Sequence, residues 1–363
     1  MKYCRMNPQR SGFFASKTAV ARTICFPPHD ATLFTASSLF QMNSRPRVQV
    51  IGPRAGTWLS FHGVPVQILA RAEDTNGTYM MSRGVAAPGD GAPPHVHPFD
   101  EGFYVLRGEM TLTAGNQVVT ATAGTFVNIP GGDAHFVKNA SESEAEVLVV
   151  AAPAGFDGFQ IAVSETAPGP DDPFAPAPAD LHARMESASA EYGIDLHPDP
   201  ALFEVDPRLT LRPPGSGEPI AAVGDLYNFL ATSEHTSGRY AIWHATIHPG
   251  GGPPPHVHTR EHEAFYILRG NLSAFDQGER VVVGPGGLII LPKDSLHWFK
   301  NETDEPVEMI ILIAPGGGEG MFRQFGTPWP SAERPPLPTP EEIARLIAVA
   351  PNFGVELHLP GGH

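Results

Sequence analysis

The strongest constraint on the fold of this chain is that its sequence repeats at a constant offset of about 161 residues. Four pairs of segments keep that offset: 79–97 with 240–258, 101–108 with 263–270, 130–139 with 292–301, and 192–197 with 353–358. The first pair reads YMMSRGVAAPGDGAPPHVH and YAIWHATIHPGGGPPPHVH, and the second reads EGFYVLRG and EAFYILRG. A constant offset over several blocks indicates a duplicated unit, so we expect two similar domains in tandem.

The length of 363 residues agrees with two domains, because one hydrophobic core rarely grows beyond about 250 residues. We expect four segments: a basic and disordered N-terminal extension (1–44), a first domain (45–197), a proline-rich joint (198–214) and a second domain (215–363). The extension carries both cysteines, Cys4 and Cys25, which excludes disulfides, thiolate metal ligands and a cysteine nucleophile from the rest of the chain. A targeting segment is the alternative interpretation of this extension, and the expected compartment is the cytoplasm.

The net charge of −15 restricts the partners. An acidic surface repels the phosphates of nucleic acids and anionic membrane surfaces, which argues against both. The sequence also lacks an uninterrupted apolar run of about 18 residues, so we expect no transmembrane helix. A small molecule is the expected partner.

Short runs of β-branched and aromatic residues, separated by glycine, proline, asparagine or aspartate, predict strands in both copies. The predicted strands are 103–106, 118–122, 125–129 and 147–151, and then 265–268, 280–283, 288–291 and 308–313. The 38 glycines and 39 prolines fit the tight turns that such strands need. The expected fold is therefore all-β, two tandem jelly-roll barrels, with a short helix at the end of each copy (179–190 and 339–349).

Six of the 16 histidines fall into the repeated blocks at spacings typical of metal ligands. His95 and His97 are two residues apart, so in a strand both imidazoles point to the same face. Glu101 and His135 follow in the first copy, and the second copy provides the same set: His256, His258, Glu263 and His297. Three neutral imidazoles and one carboxylate suit a divalent first-row metal, Fe, Mn, Co, Ni or Cu, with up to two ions per chain.

A histidine pair at this spacing in a strand is also common on protein surfaces. Here, however, the pattern occurs twice, with a glutamate and a distant histidine in matching register each time. Without a metal, eight polar side chains would recur beside apolar strands, where unpaired polar groups are costly. The duplication therefore favours metal binding over a polar surface patch.

These motifs resemble those of the cupin superfamily, and in particular of bicupins. The motif G-x5-H-x-H-x3/4-E-x6-G is matched by Gly89, His95, His97, Glu101 and Gly108, and again by Gly250, His256, His258, Glu263 and Gly270. The motif G-x5-P-x-G-x2-H-x3-N is matched by Gly124, Pro130, Gly132, His135 and Asn139, and again by Gly286, Pro292, His297 and Asn301. Asp294 replaces the second glycine in the second copy, at a turn where aspartate also tolerates the left-handed conformation. The resemblance implies two cupin barrels, each a double-stranded β-helix.

Among bicupins, the chain is similar to quercetin 2,3-dioxygenase-like proteins. The similar features are the proline-rich approach to the histidine pair, the strand ExFY[VI]LRG and the ending YGIDLH or FGVELH. The resemblance implies that a metal holds a flavonol through its 3-oxygen and that a glutamate, here Glu101 or Glu263, takes the hydroxyl proton. O2 and a small aromatic molecule are then the implied substrates, and ring opening releases carbon monoxide.

Other functions remain open from the sequence. A bicupin decarboxylase of the oxalate type shares the ligand set. A resemblance to that family would imply an arginine just before the histidine pair, but this chain has Pro93-Pro94 and Pro254-Pro255 there. A non-catalytic metal-binding or small-molecule-binding bicupin and a pirin-like regulator are further alternatives. A homodimer is a further expectation, because exposed sheet edges are commonly covered by a partner.

Strand alternation also predicts the walls of the pockets. The residues on the same strand face as the glutamates are Phe103 and Val105 in the first copy and Phe265 and Ile267 in the second. Phe136 and Trp298 directly follow the third histidine of each set and are able to pack on a planar ligand. Ordinary barrel core is the alternative role for all of these side chains, whereas His262, next to Glu263, is expected on the surface.

Overall fold

The computed structural model describes residues 45–359, apart from 62, 168, 170–176, 200–201, 204–205, 207 and 332. The N-terminal extension predicted at 1–44, with both cysteines, lies outside the described residues. Within the described part of the chain, no helix has the length and apolar character needed to cross a bilayer.

The first half of the chain is built from short antiparallel strands followed by two helices. Its strands are β1 (Gln49–Ile51), β2 (Thr57–Phe61), β3 (Val64–Ala70), β4 (Met80–Ala86), β5 (Gly91–His95), β6 (Asp100–Arg107), β7 (Glu109–Ala114), β8 (Gln117–Thr122), β9 (Phe126–Ile129), β10 (His135–Lys138), β11 (Ala145–Ala152) and β12 (Glu165–Ala167). Its helices are α1 (Phe156–Val163) and α2 (Leu181–Tyr192).

The second half repeats this order. Its strands are β13 (Thr210–Arg212), β14 (Glu218–Ala222), β15 (Asp225–Ala231), β16 (Ala241–Ile247), β17 (His256–His258), β18 (His262–Arg269), β19 (Leu272–Asp276), β20 (Glu279–Val283), β21 (Leu288–Leu291), β22 (Leu296–Lys300), β23 (Val307–Ala314), β24 (Thr327–Pro328) and β25 (Val355–Leu357). Its helices are α3 (Glu319–Phe325) and α4 (Pro340–Val349), followed by a 3₁₀ turn at Ala350–Phe353.

Each half forms two facing sheets. The first barrel has a large sheet in the order β12-β2-β3-β4-β11-β6-β9-β13 and a smaller sheet in the order β5-β10-β7-β8. The second barrel has β1-β21-β18-β23-β16-β15-β14-β24 facing β20-β19-β22-β17-β25. The expected all-β fold, two tandem jelly-roll barrels with short helices attached, is thereby confirmed.

The first strand of each half pairs with the other half. β1 lies on the edge of the second barrel, where Gln49 pairs with Ile290 of β21. β13 lies on the edge of the first barrel, where Thr210 pairs with Asn128 of β9. The two barrels therefore exchange equivalent edge strands, and β13 belongs to the segment that the sequence predicts to be a joint.

The large sheets of the two barrels pack back to back. Between them lies an interdomain core that includes Tyr104 and Phe126 from the first barrel and Tyr266 and Leu312 from the second. Fully burying one such side chain contributes about 1.5–3 kcal/mol. Two polar contacts cross the same interface: the Tyr240 hydroxyl donates to Oδ1 of Asn128 at 2.5 Å, and the Arg239 guanidinium donates to Oδ1 of Asp100 at 2.6 Å.

The predicted helices are present as α2 and α4, each within two residues of its expected limits. Thr339 is the N-cap of α4, because its side chain accepts a hydrogen bond from the backbone N–H of Glu342. Helices α1 and α3 have no such signal, because each follows a glycine that makes no side-chain cap. The sequence did not predict them, although both form walls of the cavities described below.

Candidate metal centres

The first cluster consists of His95, His97, Glu101 and His135, and all four side chains are buried. His95 is the last residue of β5 and lies opposite His135, the first residue of β10, in the ladder between these strands. Glu101 reaches the same point from β6, in the facing sheet. The ligand atoms of all four residues lie within 4.8 Å of one another. The structure thus brings together the four residues singled out from the first copy.

The second cluster repeats this arrangement with His256, His258, Glu263 and His297, which are also buried. His256 in β17 lies opposite His297 in β22. Glu263 comes from β18, the equivalent of β6, and the ligand atoms again lie within 4.8 Å of one another. Asp294 adopts φ 68 in the preceding turn, so aspartate takes the left-handed conformation that Gly132 takes in the first copy.

Backbone carbonyl groups orient the imidazoles of the first cluster. Nδ1 donates to a backbone carbonyl oxygen in each ring: His95 to Pro93 at 2.7 Å, His97 to Phe99 at 2.9 Å and His135 to Asp133 at 2.9 Å. A carbonyl oxygen can only accept, so Nδ1 carries the proton of the neutral ring. Nε2 is then left with a lone pair that points into the cluster, as metal ligation requires.

The second cluster uses the same device for two of its three rings. Nδ1 of His256 donates to the carbonyl oxygen of Pro254 at 2.9 Å, and Nδ1 of His297 lies 3.2 Å from that of Ser295. His258 differs, because its Nδ1 faces a carboxylate oxygen of Glu261 at 3.5 Å. Glu261 is buried and was not predicted as a site residue; the one additional residue between His258 and Glu263 is the sequence signal for it.

The nitrogen and oxygen lone pairs that face one another in each cluster favour a shared cation. In the first cluster, Oε2 of Glu101 lies 3.2 Å from Nε2 of both His97 and His135. With the proton on Nδ1, these contacts bring three acceptors together, which only an added proton or a metal ion can reconcile. In the second cluster, Oε2 of Glu263 and Nε2 of His297 are buried without a hydrogen-bond partner. Both donor sets therefore fit a divalent first-row metal.

The electrostatics of the two clusters differ. Burial and the neighbouring His135 lower the pKa of His95 to about 3, which keeps this imidazole neutral. Burial alone would raise the pKa of Glu101, but when an added proton lies on Nε2 of His135 or His97, hydrogen bonds from these rings outweigh burial and lower that pKa well below its usual range. In the second cluster, burial dominates at Glu263 and raises the pKa of its carboxyl group.

His258 also differs from the other histidines of the second cluster. Burial opposes its charged form, but the carboxylates of Glu263 and Glu261 outweigh burial and raise the pKa of His258. In contrast, burial lowers the pKa of His297 to about 3 and that of His256 well below its usual range. The second cluster thus combines one basic imidazole with two that stay neutral.

Each cluster opens onto a cavity with largely apolar walls. The first cavity, of about 150 Å³, is lined by His95, Glu101 and Phe103 among others. The second, of about 70 Å³, is lined by His256, His258 and Glu263 among others. Phe103 lies where strand alternation predicts it. The other predicted wall residues in phase with the glutamates belong instead to the barrel cores: Val105, Phe265 and Ile267.

The aromatic residues after the third histidines point away from the cavities. Trp298 stacks on Phe275 with ring centroids 4.8 Å apart. Phe299 lines the second cavity instead, as Val137 lines the first, because successive residues of a strand face opposite sides. His262 is half-buried rather than fully exposed.

A family model described as the cupin domain matches residues 83–151 and residues 243–313, one match in each barrel. The chain therefore has a bicupin fold, with one cupin domain in each barrel. This bicupin is 22% identical over 273 residues to quercetin 2,3-dioxygenase of Bacillus subtilis, covering 72% of this chain and 81% of that enzyme.

Solved structures share its fold. The putative glyoxylate-induced protein from Pseudomonas aeruginosa superposes with a TM-score of 0.50 at 14% identity, over 86% of the bicupin and 96% of that chain. An oxalate decarboxylase of Bacillus subtilis superposes with a TM-score of 0.49 at 16% identity, over 76% of each chain. At 14% identity, the first of these two likenesses bears on the fold and not on the reaction.

Proposed function

We propose that this bicupin is a metal-dependent dioxygenase of the quercetinase type, which opens an aromatic or flavonol-like substrate with O2. The observation that carries the proposal is the pair of buried clusters, each with three imidazoles and one carboxylate beside an apolar cavity. The similarity to the Bacillus quercetin 2,3-dioxygenase over most of both chains supports the same assignment.

The proposed metal ligands are the eight residues of the two clusters: His95, His97, Glu101, His135, His256, His258, Glu263 and His297. Each set would hold one divalent ion of Fe, Mn, Ni, Co or Cu. When bound, such an ion supplies Lewis-acid activation of a substrate oxygen and a path for electrons. The protein contributes fixed imidazole orientations, through the Nδ1 contacts, and a pocket with largely apolar walls.

Glu101 and Glu263 are the proposed general bases. Each carboxylate lies beside the imidazole Nε2 atoms and lines a cavity, so it can accept a proton from a substrate hydroxyl held there. The lowered pKa of Glu101 keeps this carboxylate ionised at neutral pH and able to accept a proton. Burial raises the pKa of Glu263, which makes its carboxylate the stronger base when it is ionised.

The cavity walls argue against a decarboxylase acting on oxalate. Oxalate is a dianion, and burying it requires a compensating cation beyond the metal. Among the described residues that line either cavity, none is lysine or arginine. An uncharged aromatic molecule is the better match for these walls. A bicupin that binds metal without turnover is the remaining alternative.

The test is aerobic incubation of the metal-loaded protein with a small panel of flavonols. We expect loss of the flavonol absorbance band together with consumption of O2, and about two metal ions per chain by elemental analysis. Metal-free protein is the control. Metal-loaded protein that leaves every flavonol and the O2 level unchanged would contradict the proposed function and favour a binding protein.

A further inference from the structure

The two cavities are lined at several positions that the repeat makes equivalent but that carry different side chains. At three of them the second barrel has an aromatic side chain where the first has a smaller one: Val66 and Tyr227, Ser82 and Trp243, Gln160 and Phe322. At another, the first barrel has Phe156 and the second has Gly318. These three substitutions add aromatic bulk to the second cavity, which measures about 70 Å³ against about 150 Å³ for the first.

Strand register shows that these positions are equivalent in space. Ser82 pairs with Ile68 across β4 and β3, and Trp243 pairs with Phe229 across β16 and β15. Helices α1 and α3 are also fixed alike. The Asp157 carboxylate in α1 accepts a hydrogen bond from the N–H of Ala72.

The equivalent contact in the second barrel joins α3 to residue 233. There, the Glu319 carboxylate accepts a hydrogen bond from the N–H of Ser233 at 2.7 Å. Gln160 and Phe322 lie three residues beyond these two carboxylates, so both point from their helix into the same part of the barrel. The difference between the cavities is therefore a difference in side chains on one shared frame.

Size separates the ligands that the two cavities can hold. A cavity of about 150 Å³ lined by apolar side chains is large enough to bind benzene in a protein interior. The first cavity reaches this size, and exposed Gly91 marks its opening to solvent. In the second, the Phe322 ring lies with its centroid 5.7 Å from that of Trp243 and 4.8 Å from that of Tyr227. These rings fill the space that an aromatic ligand would need.

Gln160 supplies polarity to the first cavity. Its side chain is 4% exposed, and its Oε1 atom is buried without a hydrogen-bond partner. Leaving a buried acceptor unpaired is unfavourable, so this oxygen favours a ligand that donates a hydrogen bond to it. A phenolic hydroxyl is such a donor on an otherwise apolar ring.

We infer that the first barrel holds the substrate chamber, which takes a phenolic ring whose hydroxyl donates to Oε1 of Gln160, and that Trp243, Tyr227 and Phe322 close the second barrel to such a ring. The inference rests on the proposed function, which places a metal ion next to this chamber. Gln160 acts as a specificity residue here: it selects a hydroxylated ring and takes no part in the chemical step.

The test measures binding without turnover, on metal-loaded full-length protein under anaerobic conditions. The probes are quercetin and 3-hydroxyflavone, which keeps the 3-hydroxyl group and lacks the other hydroxyls of quercetin. We expect one quercetin per chain. We expect Gln160→Leu to weaken quercetin binding about 10-fold, as the loss of one buried hydrogen bond implies, and to change 3-hydroxyflavone binding by less than about 2-fold.

Two further variants control for damage to the fold. Gln160→Glu keeps an acceptor oxygen and is expected to keep the preference for quercetin. Ile161→Val lies on the same helix, packs in a different cluster and is expected to leave both affinities unchanged. Metal content and the thermal midpoint of each variant are measured alongside.

Three results would overturn the inference: two quercetin molecules per chain, no quercetin binding, or a Gln160→Leu variant with the wild-type preference. Failure of the proposed function looks different. If the binding results are as expected but aerobic incubation consumes neither flavonol nor O2, the chamber stands and the dioxygenase assignment falls. If flavonol is consumed while Gln160→Leu keeps its preference, the assignment stands and the chamber inference falls.

Discussion

Nδ1 of His258 lies 3.5 Å from a carboxylate oxygen of Glu261. The equivalent ring of His97 has a backbone carbonyl oxygen as its partner, at 2.9 Å. A carboxylate makes the histidine that it contacts more basic and a stronger metal ligand than a carbonyl does. The two candidate metal centres therefore have the same four types of side chain but differ in the group that contacts Nδ1 of one histidine.

Replacing Glu261 with glutamine is expected to weaken metal retention at the second centre about 10-fold or more, because the charged partner of His258 is lost. Metal content after dialysis against a graded series of chelator concentrations measures this. The first centre should keep its ion, so half of the metal should leave the variant more easily. Glu234→Gln, on the exposed surface of the same barrel, is the matched control. Equal retention in both variants would show that Glu261 does not support the ligand.

Arg239→Met is expected to destabilise the protein by about 3 kcal/mol at neutral pH, because it leaves Asp100 buried at the domain interface without its cation. Chemical denaturation measures this. In the double variant with Asp100→Asn, most of the loss should be recovered, since the charge is then gone. A single variant as stable as the wild type would mean that the ion pair contributes nothing to the interface.

The cost of Arg239→Met should also depend on pH. Burial raises the pKa of Asp100 even with the Gly131 N–H and Arg239 present, and removing Arg239 raises it further. When the pKa of a carboxyl group is higher in the folded protein than in the unfolded chain, the folded protein becomes less stable as pH increases through the folded-state pKa. The reason is that the group ionises more readily in the unfolded chain. The destabilisation should therefore be small near pH 4 and larger at pH 7. Denaturation curves at both pH values measure this. An equal destabilisation by Arg239→Met at the two pH values would contradict the prediction.

Glu101→Gln and Glu263→Gln should differ in their effect on turnover. If the first barrel holds the substrate, Glu101→Gln should lower kcat about 100-fold or more, which is the usual contribution of a general base. Glu263→Gln should leave kcat within about 2-fold of the wild type. Rates are compared after confirming metal content for each variant. Equal losses in the two variants would assign turnover to both barrels.

Metal removal should lower thermal stability, because neither buried cluster can satisfy its own acceptors. A ligand present at 100 times its Kd stabilises the folded state by about 2.7 kcal/mol. Calorimetry before and after chelation should show the thermal midpoint fall by roughly 5 °C or more, and restoring one of the candidate metals should reverse it. His297→Ala should show about half of the effect. An unchanged midpoint would count against metal binding.

The ligand clusters could be predicted from the sequence because each rests on short-range rules. His95 and His97 share a face through strand alternation, and the repeat supplies a second copy against which chance matches can be judged. His135 lies far along the chain, yet its register with Glu101 recurs in His297 and Glu263. The barrel architecture follows from the same alternation and turn signals.

The shape of the cavities could not be predicted in this way. Gln160 and Phe322 lie on helices that lack capping signals, and the direction in which such a helix points depends on tertiary packing. Ser82 and Trp243 lie in predictable strands, but which face of β4 and β16 borders the cluster depends on the facing sheet. Sequence alternation therefore identified the residues that cluster as proposed metal ligands but not the side chains that give the cavities their shape.

The exchange of β1 and β13 means that covalent continuity is not what holds the two halves together. A single proteolytic cut near the joint would leave two fragments, each carrying a strand that the other needs and an open edge where its own partner should sit. Fragments produced this way should remain a tight complex, whereas either one expressed alone should be prone to self-association. Duplication has in this sense produced an internal dimer in which each member completes a sheet edge of the other.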